Sequence, residues 1–475
     1  MKWVTLMAKR KLYHLTFLPG LDELGYRYKR AFYKWESGFT DVMATENEVR
    51  NKQKELAQII KMDPFWSEMF TLWAVSKLDM APNYAKSLYK ISFIKLKNKE
   101  LLSYLKNLHQ KMYETAKTII FLHIDTLMQN SLEDYLIDHI KDKKELLKVI
   151  ECITAPTKVS ANTEQQVDFL KIKSKYHKNK NISEEIEKAI KKHIEEYGWV
   201  EMDTGYGRPL TFSEIKIRLF KSPSNNPDNE ILKIKKGYKN IKQKREKYFE
   251  KYCIPNDIKS IANYLSESTY IRTYRRYSMT KLAWYSKPLH DEIARRLGLG
   301  WEELNYLTPW QVYKALNENI STKTLKAWGE ENKKFSIGYL GKNRKIIFLT
   351  GQKARKFASR QITDDESVGG KVLYGRSVYL GKVRGYAKVV KDSKDLDKVK
   401  TGDILVAMQT PPSYIPALKR ATGVVVDEGG VTSHASILCR EFKIPTIIGT
   451  KVATKTYKDG DKLSLDSTLG VVKKI

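Results

Sequence analysis

With 475 residues, 41% hydrophobic and 30% charged, the chain can bury a sizeable core in two or three domains and lacks the composition of a disordered polymer. No apolar run is long enough to span a bilayer: the best candidate, Thr118 to Met128, is interrupted by His123 and Asp125. The net charge of +31 excludes an acidic protein but is shared, since residues from Gly338 onward carry 26 basic and 13 acidic side chains (+13), leaving +18 for the first 337.

In chain order, Met1 to Lys11 holds too short an apolar stretch before Lys9 and Arg10 to act as a secretion signal. Ala85 to Met112, Asp134 to Ile150 and Ile182 to Tyr197 place Leu, Ile and Tyr at spacings of three and four, which predicts helices. Thr154 to Thr163 and Ser222 to Asn229 have loop composition. Asn181-Ile-Ser183-Glu-Glu and Thr308-Pro309 are helix starts, the second with proline at the first helical position. The Tyr and Trp residues of this part are read as packing between helices, and Arg272 and Arg275, on one helix face, as partners of Asp or Glu. No repeat of fixed period is present.

Glycine usage changes at residue 338: ten glycines precede it and fifteen follow, so helices give way to turns and short strands. Ile337 to Leu349 predicts a β-hairpin turning near Gly341 to Asn343, and Gln352 to Gln361 a short helix. Thr363 to Gly370 is polar, acidic and ends in two glycines, as a flexible connector would. Strands are then predicted at Ser377–Tyr379, Gly385–Val390, Ile404–Met408, Gly423–Asp427, Thr446–Ile448 and Lys462–Leu465. The fold class is therefore α+β and multidomain: residues 1–337 mainly helical, 338–370 a hairpin, helix and connector, 371–475 a strand-rich domain. Cys152, Cys253 and Cys439 have no metal-ligand spacing and cannot all pair, which points to a reducing, cytoplasmic setting.

The chemistry concentrates in Asp427-Glu-Gly-Gly-Val-Thr-Ser-His-Ala-Ser-Ile-Leu-Cys-Arg-Glu-Phe-Lys-Ile-Pro-Thr446. A strand ends in Gly429 and Gly430, which permit tight backbone geometry and close approach of a phosphate. Thr432, Ser433 and His434 then stand at the first turn of a helix, where unpaired N–H groups favour an anion. A neutral imidazole nitrogen is a nucleophile, and a neighbouring hydroxyl, Thr432 or Ser433, can fix its tautomer. Arg440, six residues along the helix, has the chemistry to bind phosphate oxygens. His434 is the only histidine after His290, so it has no rival in the domain.

Gly-Gly-Val-Thr-Ser-His-Ala resembles the signature of the phosphoenolpyruvate-utilising enzymes, among them phosphoenolpyruvate synthase, rifampicin phosphotransferase and phenylphosphate synthase. Ile444-Pro-Thr-Ile-Ile-Gly449 is similar to the strand that follows the signature helix, and Met408-Gln-Thr-Pro-Pro412 to an earlier segment of the same domain. The resemblance implies a β/β/α swivelling domain over residues 371–475 with His434 as the phosphorylated residue, supported by Gly429, Gly430, Thr432, Ser433 and Arg440. Cys439 departs from the smaller residue usual there and is expected to face the core. Glu196-Tyr-Gly-Trp199, Gly207-Arg-Pro-Leu-Thr211 and Leu297 to Pro309 look like parts of the helical substrate domain of rifampicin phosphotransferase.

The glycine-poor first part does not resemble an ATP-grasp domain, and no P-loop is present. The resemblance therefore implies ATP and Mg²⁺ on a separate ATP-grasp subunit, transfer of the β-phosphate to His434, and a swing about Thr363–Gly370 to a small-molecule acceptor hydroxyl held by the helical region. No metal is expected on this chain. With no barrel following the histidine domain, phosphoenolpyruvate and pyruvate are not expected as ligands. Two rivals stand beside this reading: a non-catalytic phosphocarrier or regulator, and a basic nucleic-acid binder with a vestigial histidine domain. Neither a membrane nor a nucleic acid is the favoured partner.

Overall fold

Residues 3–10, 31–37, 39–116, 118, 124–179, 181–200, 202, 209–221, 226–340, 346–361, 372–410, 414–428 and 434–475 are described by a computed structural model. Strands β1 (Trp3–Arg10), β2 (Ala31–Glu36) and β3 (Phe39–Thr45) open the chain. Helices α1 (Glu46–Met62), α2 (Trp66–Leu88), α3 (Asn98–Ala116), α4 (Asp125–His139), α5 (Lys143–Thr154), α6 (Ala161–Asn179) and α7 (Glu184–Tyr197) follow. Next come α8 (Phe212–Lys221), α9 (Pro227–Lys251), the long α10 (Asn256–Leu297), α11 (Trp301–Asn305), α12 (Pro309–Asn317) and α13 (Thr322–Lys334). The remainder is β4 (Phe335–Leu340), β5 (Ile346–Thr350), α14 (Gly351–Gln361), β6 (Val372–Tyr374), β7 (Arg376–Tyr379), β8 (Lys382–Val390), β9 (Ile404–Ala407), α15 (Ile415–Arg420), β10 (Gly423–Val426), α16 (His434–Glu441), β11 (Thr446–Ile448), α17 (Ala453–Thr456), β12 (Lys462–Asp466) and β13 (Val471–Lys474). The α+β class stands.

Residues form two compact units that do not follow chain order: 1–124, 156–244 and 270–363 in one, 125–155, 245–269 and 364–475 in the other. In the first unit β4 and β5 make the expected hairpin, but not in isolation. They extend an antiparallel sheet in the order β1-β3-β2-β4-β5, with Phe32 opposite Tyr339 and Glu36 opposite Phe335. Tyr33, Trp35, Val42 and Ala44 pack on Phe70, Ala74 and Leu78 of α2, while Phe32 and Met43 join Phe335, Ile337 and Ala354. Both faces are thus buried, and the strands lack the polar alternation that marks a half-exposed sheet. The helices of this unit share a core of Leu101, Leu105, Leu108, Leu289, Ile293, Val312 and Leu325.

Two predicted helices are each broken in two. The Ala85–Met112 stretch is interrupted between α2 and α3, where Phe93 turns into the core and Glu100 accepts the Lys97 N–H at 2.7 Å to start α3. Asp134–Ile150 is divided because the Asp142 carboxylate accepts the N–H groups of Lys144 (2.7 Å) and Glu145 (3.4 Å), capping α5. The caps at Ser183 and Thr308 form as the sequence indicates, the latter with a capping box through Gln311.

In the second unit eight strands run β6-β13-β12-β8-β9-β10-β11-β7. The three pairings among β8, β9, β10 and β11 are parallel; the other four are antiparallel. β6 and β7 end opposite sides of the strand order with only Gly375 between them, so the sheet curls towards closure. A Cβ on Gly375 would meet Ile447 Cγ2 and Ile448 O at 2.6 Å, which explains the glycine. Every residue of β9, β10 and β11 is buried, as parallel strands require. Asp125 accepts from Tyr264 (2.8 Å) and Ser268 (2.6 Å), Lys251 pairs with Glu145 (3.0 Å), and Arg376 of β7 approaches Glu133 of α4 at 3.5 Å, tying the helical segments to each other and to the strands.

Candidate active site

Parallel strands send their carboxyl ends to one edge, and in such sheets ligands bind there. β9 and β10 reach it in register, Ala407 opposite Val426, and the pairing continues as Asp427 N donates to Ala407 O and Glu428 N to Met408 O, both at 3.0 Å. Gln409 Nε2 donates to Glu428 Oε2 across the same seam.

Asp427 is the fixed point of this edge. Its Oδ1 accepts from Thr450 Oγ1 (2.9 Å) and Ala453 N (2.5 Å), its Oδ2 from Thr454 N (3.0 Å) and Thr454 Oγ1 (2.5 Å). A buried carboxylate is stable there because four donors replace water. It locks the end of β10 to the start of α17 immediately before the glycine pair. In the sequence Asp427 marks only a strand end; its partners lie 23 to 27 residues away, so no local pattern marks them. Thr410, also unassigned from sequence, is buried three residues past β9, and its hydroxyl has no hydrogen-bond partner among the described residues.

His434 is the first residue of α16, the eight-residue helix that follows β10. Gly429, Gly430, Thr432 and Ser433 lie outside the described residues, as do the side chain of His434 and the Thr363–Gly370 connector. Cys439 faces the core as expected, fully buried, its thiol pushed up to about 11 mainly by desolvation. Arg440 stands six residues from His434, roughly 9 Å along the axis. Its Nε and Nη2 are closed off from water and have no hydrogen-bond partner among the described residues. Burial lowers its pKa, against the carboxylates of Glu151 on α5 and Glu133 on α4.

Glu133 accepts from Gln129 Nε2 at 2.8 Å, and burial raises its pKa against the pull of Arg376. Arg440 is therefore a desolvated cation facing carboxylates without a completed hydrogen-bond set, and so has donors to offer an anion. Among the described residues, no three or more His, Cys, Asp or Glu side chains are grouped to hold a metal ion.

Three histidines of the first unit, His109, His193 and His290, are of another kind. His193 is buried with Nδ1 2.7 Å from Asp168 Oδ2. His109 lies with Nδ1 2.6 Å from the Tyr313 hydroxyl, and His290 with Nδ1 3.4 Å from Ser286 Oγ. Burial pushes His109 down to about 3 and His290 to about 4. All three are core residues.

A family profile described as the mobile domain of PEP-utilising enzymes matches residues 399–470, which hold β9, β10, α16 and β11. The stretch 399–470 is thus similar to the mobile domain of the PEP-utilising enzyme family. The chain is 40% identical over 134 residues to a probable phosphoenolpyruvate synthase of Archaeoglobus fulgidus, covering 28% of this chain and 17% of that protein. Over 188 residues it is 34% identical to the phosphoenolpyruvate synthase of Pyrococcus furiosus, 38% of this chain and 22% of that one. Similarity to an uncharacterised phosphotransferase of Bacillus subtilis, YvkC, is 31% over 111 residues, 23% and 13% of the two chains. The chain thus spans about a fifth of the length of the synthases it matches, and the 188-residue match extends the likeness beyond the PEP-utiliser mobile domain itself. Among the described residues no helix is long and apolar enough to cross a membrane.

Proposed function

We propose that this chain is a phosphotransferase component whose His434 carries a phosphoryl group from a nucleotide to an acceptor hydroxyl. The observation that carries the reading is the position of His434: first residue of a helix, at the carboxyl edge of parallel strands, within the stretch matched to the PEP-utiliser mobile domain. Helix N-terminal amides and low dielectric favour the phosphoryl group there. Gly429 and Gly430 allow its approach, Thr432 or Ser433 orients the imidazole, and Arg440 supplies charge.

In the first half-reaction an imidazole nitrogen attacks the β-phosphorus of ATP, forming the N–P bond as the α,β-phosphoanhydride P–O bond breaks and AMP leaves, and hydrolysis of the β,γ P–O bond releases inorganic phosphate. In the second, the acceptor oxygen forms an O–P bond, the N–P bond breaks, and the hydroxyl proton passes to a base. ATP and Mg²⁺ belong in this proposal to a separate ATP-grasp subunit, and the acceptor is a small molecule bound by the helical region of residues 1–337, reached by movement about residues 363–370. Cys152, Cys253 and Cys439, none of them in a disulfide among the described residues, suit a cytoplasmic setting.

The test is a chase. The chain, incubated with ATP labelled at the β-phosphate and a candidate ATP-grasp partner, takes up acid-labile label, which then passes to a hydroxylic acceptor from a panel of phenols, sugars and polyketides. Label that reaches water alone favours the phosphocarrier. A chain that takes no label while binding its partner contradicts the proposal.

A further inference from the structure

Among the described residues nothing in the fold uses the buried hydroxyl of Thr410. The residue is 5% exposed and its Oγ1 has no hydrogen-bond partner among the described residues. Leaving a hydroxyl unmatched away from water is unfavourable, and a valine would fill the same volume without that cost. Nor does the surrounding structure need its proton: the nearby Asp427 carboxylate already receives four hydrogen bonds, and Gln409 serves Glu428.

Its position supplies the explanation. The bond from Glu428 N to Met408 O holds residues 408–410 alongside the end of β10, so Thr410 sits on the edge from which the chain leads to the start of α16 at His434. An unfilled donor and a helix amino terminus at one edge make a site for an anion.

We infer that Thr410 is a phosphoryl-binding residue, its hydroxyl donating to an oxygen of the phosphoryl group on His434. This rests on the phosphohistidine reading above. A hydrogen bond realised only when the phosphoryl group arrives also explains why the hydroxyl is kept, since unmatched polarity is tolerated where function uses it.

The experiment uses phosphoramidate, which phosphorylates imidazole with loss of ammonia and needs no partner subunit, so Thr410 is tested separately from the ATP reaction. Full-length wild type, Thr410→Val and Thr410→Ser are treated, and uptake at the His434 peptide is followed by mass spectrometry beside a thermal melt. Thr410→Val should melt at or above wild type yet take up phosphate at His434 about tenfold or more slowly, and Thr410→Ser should recover most of the rate. Thr410→Val reacting at the wild-type rate overturns the inference. So does Thr410→Val melting well below wild type, which would mean the hydroxyl has a structural partner. Normal phosphoramidate behaviour with no uptake from ATP would place the failure in the ATP reading.

Discussion

The antiparallel sheet of the first unit and the mixed sheet of the second both bury strand residues on two faces, but only the second gathers polar groups at one edge. Antiparallel strands alternate direction, so consecutive carboxyl ends fall on opposite sides and no edge collects them. The parallel run β8 to β11 brings Thr410, Asp427, Glu428 and the start of α16 together. The buried histidines contrast with His434 in the same way: His109, His193 and His290 are packed into helical core, whereas His434 begins a helix at that edge. Parallel topology builds a site; helical packing consumes its polar groups as structure.

The sharpest way to break this comparison is Asp427→Ala. Two backbone N–H groups and two hydroxyls lose their acceptor, and the second unit should lose about 3 kcal/mol or more, measured by denaturant unfolding. An unchanged midpoint would mean that Asp427 does not organise the edge.

The buried histidines give an intermediate, pH-dependent effect. His109 and His290 have folded pKa values of about 3 and about 4, below the ordinary 6.5. The unfolded chain therefore takes up protons first, and stability present above pH 6.5 is lost as pH falls towards 4, by up to about 1.4 kcal/mol per pH unit for each histidine. Melting of His109→Phe between pH 7 and 4.5 should show a shallower slope than wild type; parallel curves would refute the assignment.

The smallest effect belongs to the solvent-exposed pair Lys188–Glu184 on α7, 2.7 Å apart. Lys188→Ala should change stability by only about 0.3 kcal/mol, and a larger loss would show that the lysine-rich surface contributes more than solvation.

The strands β9 to β11, though not their parallel pairing, and a helix start near His434 were legible because buried β-branched runs, paired glycines and a helix start are local signals. The helix starts at Ser183 and Thr308 were legible for the same reason. β1 to β3 were not, since burial on both faces removes alternation from residues such as Phe32, Tyr33 and Trp35. The interruption at Phe93 was hidden because leucine and tyrosine spacing continues across it. The Glu133, Arg376 and Arg440 cluster joins positions far apart in the chain, which no window detects. Thr410 was within a segment already singled out, but only the structure reveals that its hydroxyl is unused.

The central claim is that His434 carries the phosphoryl group, and mapping the modified residue tests it most directly. After incubation with labelled ATP and the ATP-grasp partner, the account predicts acid-labile label on the peptide containing His434 and none in a folded His434→Ala protein. Label of the same amount in His434→Ala, or at another residue in wild type, would contradict it.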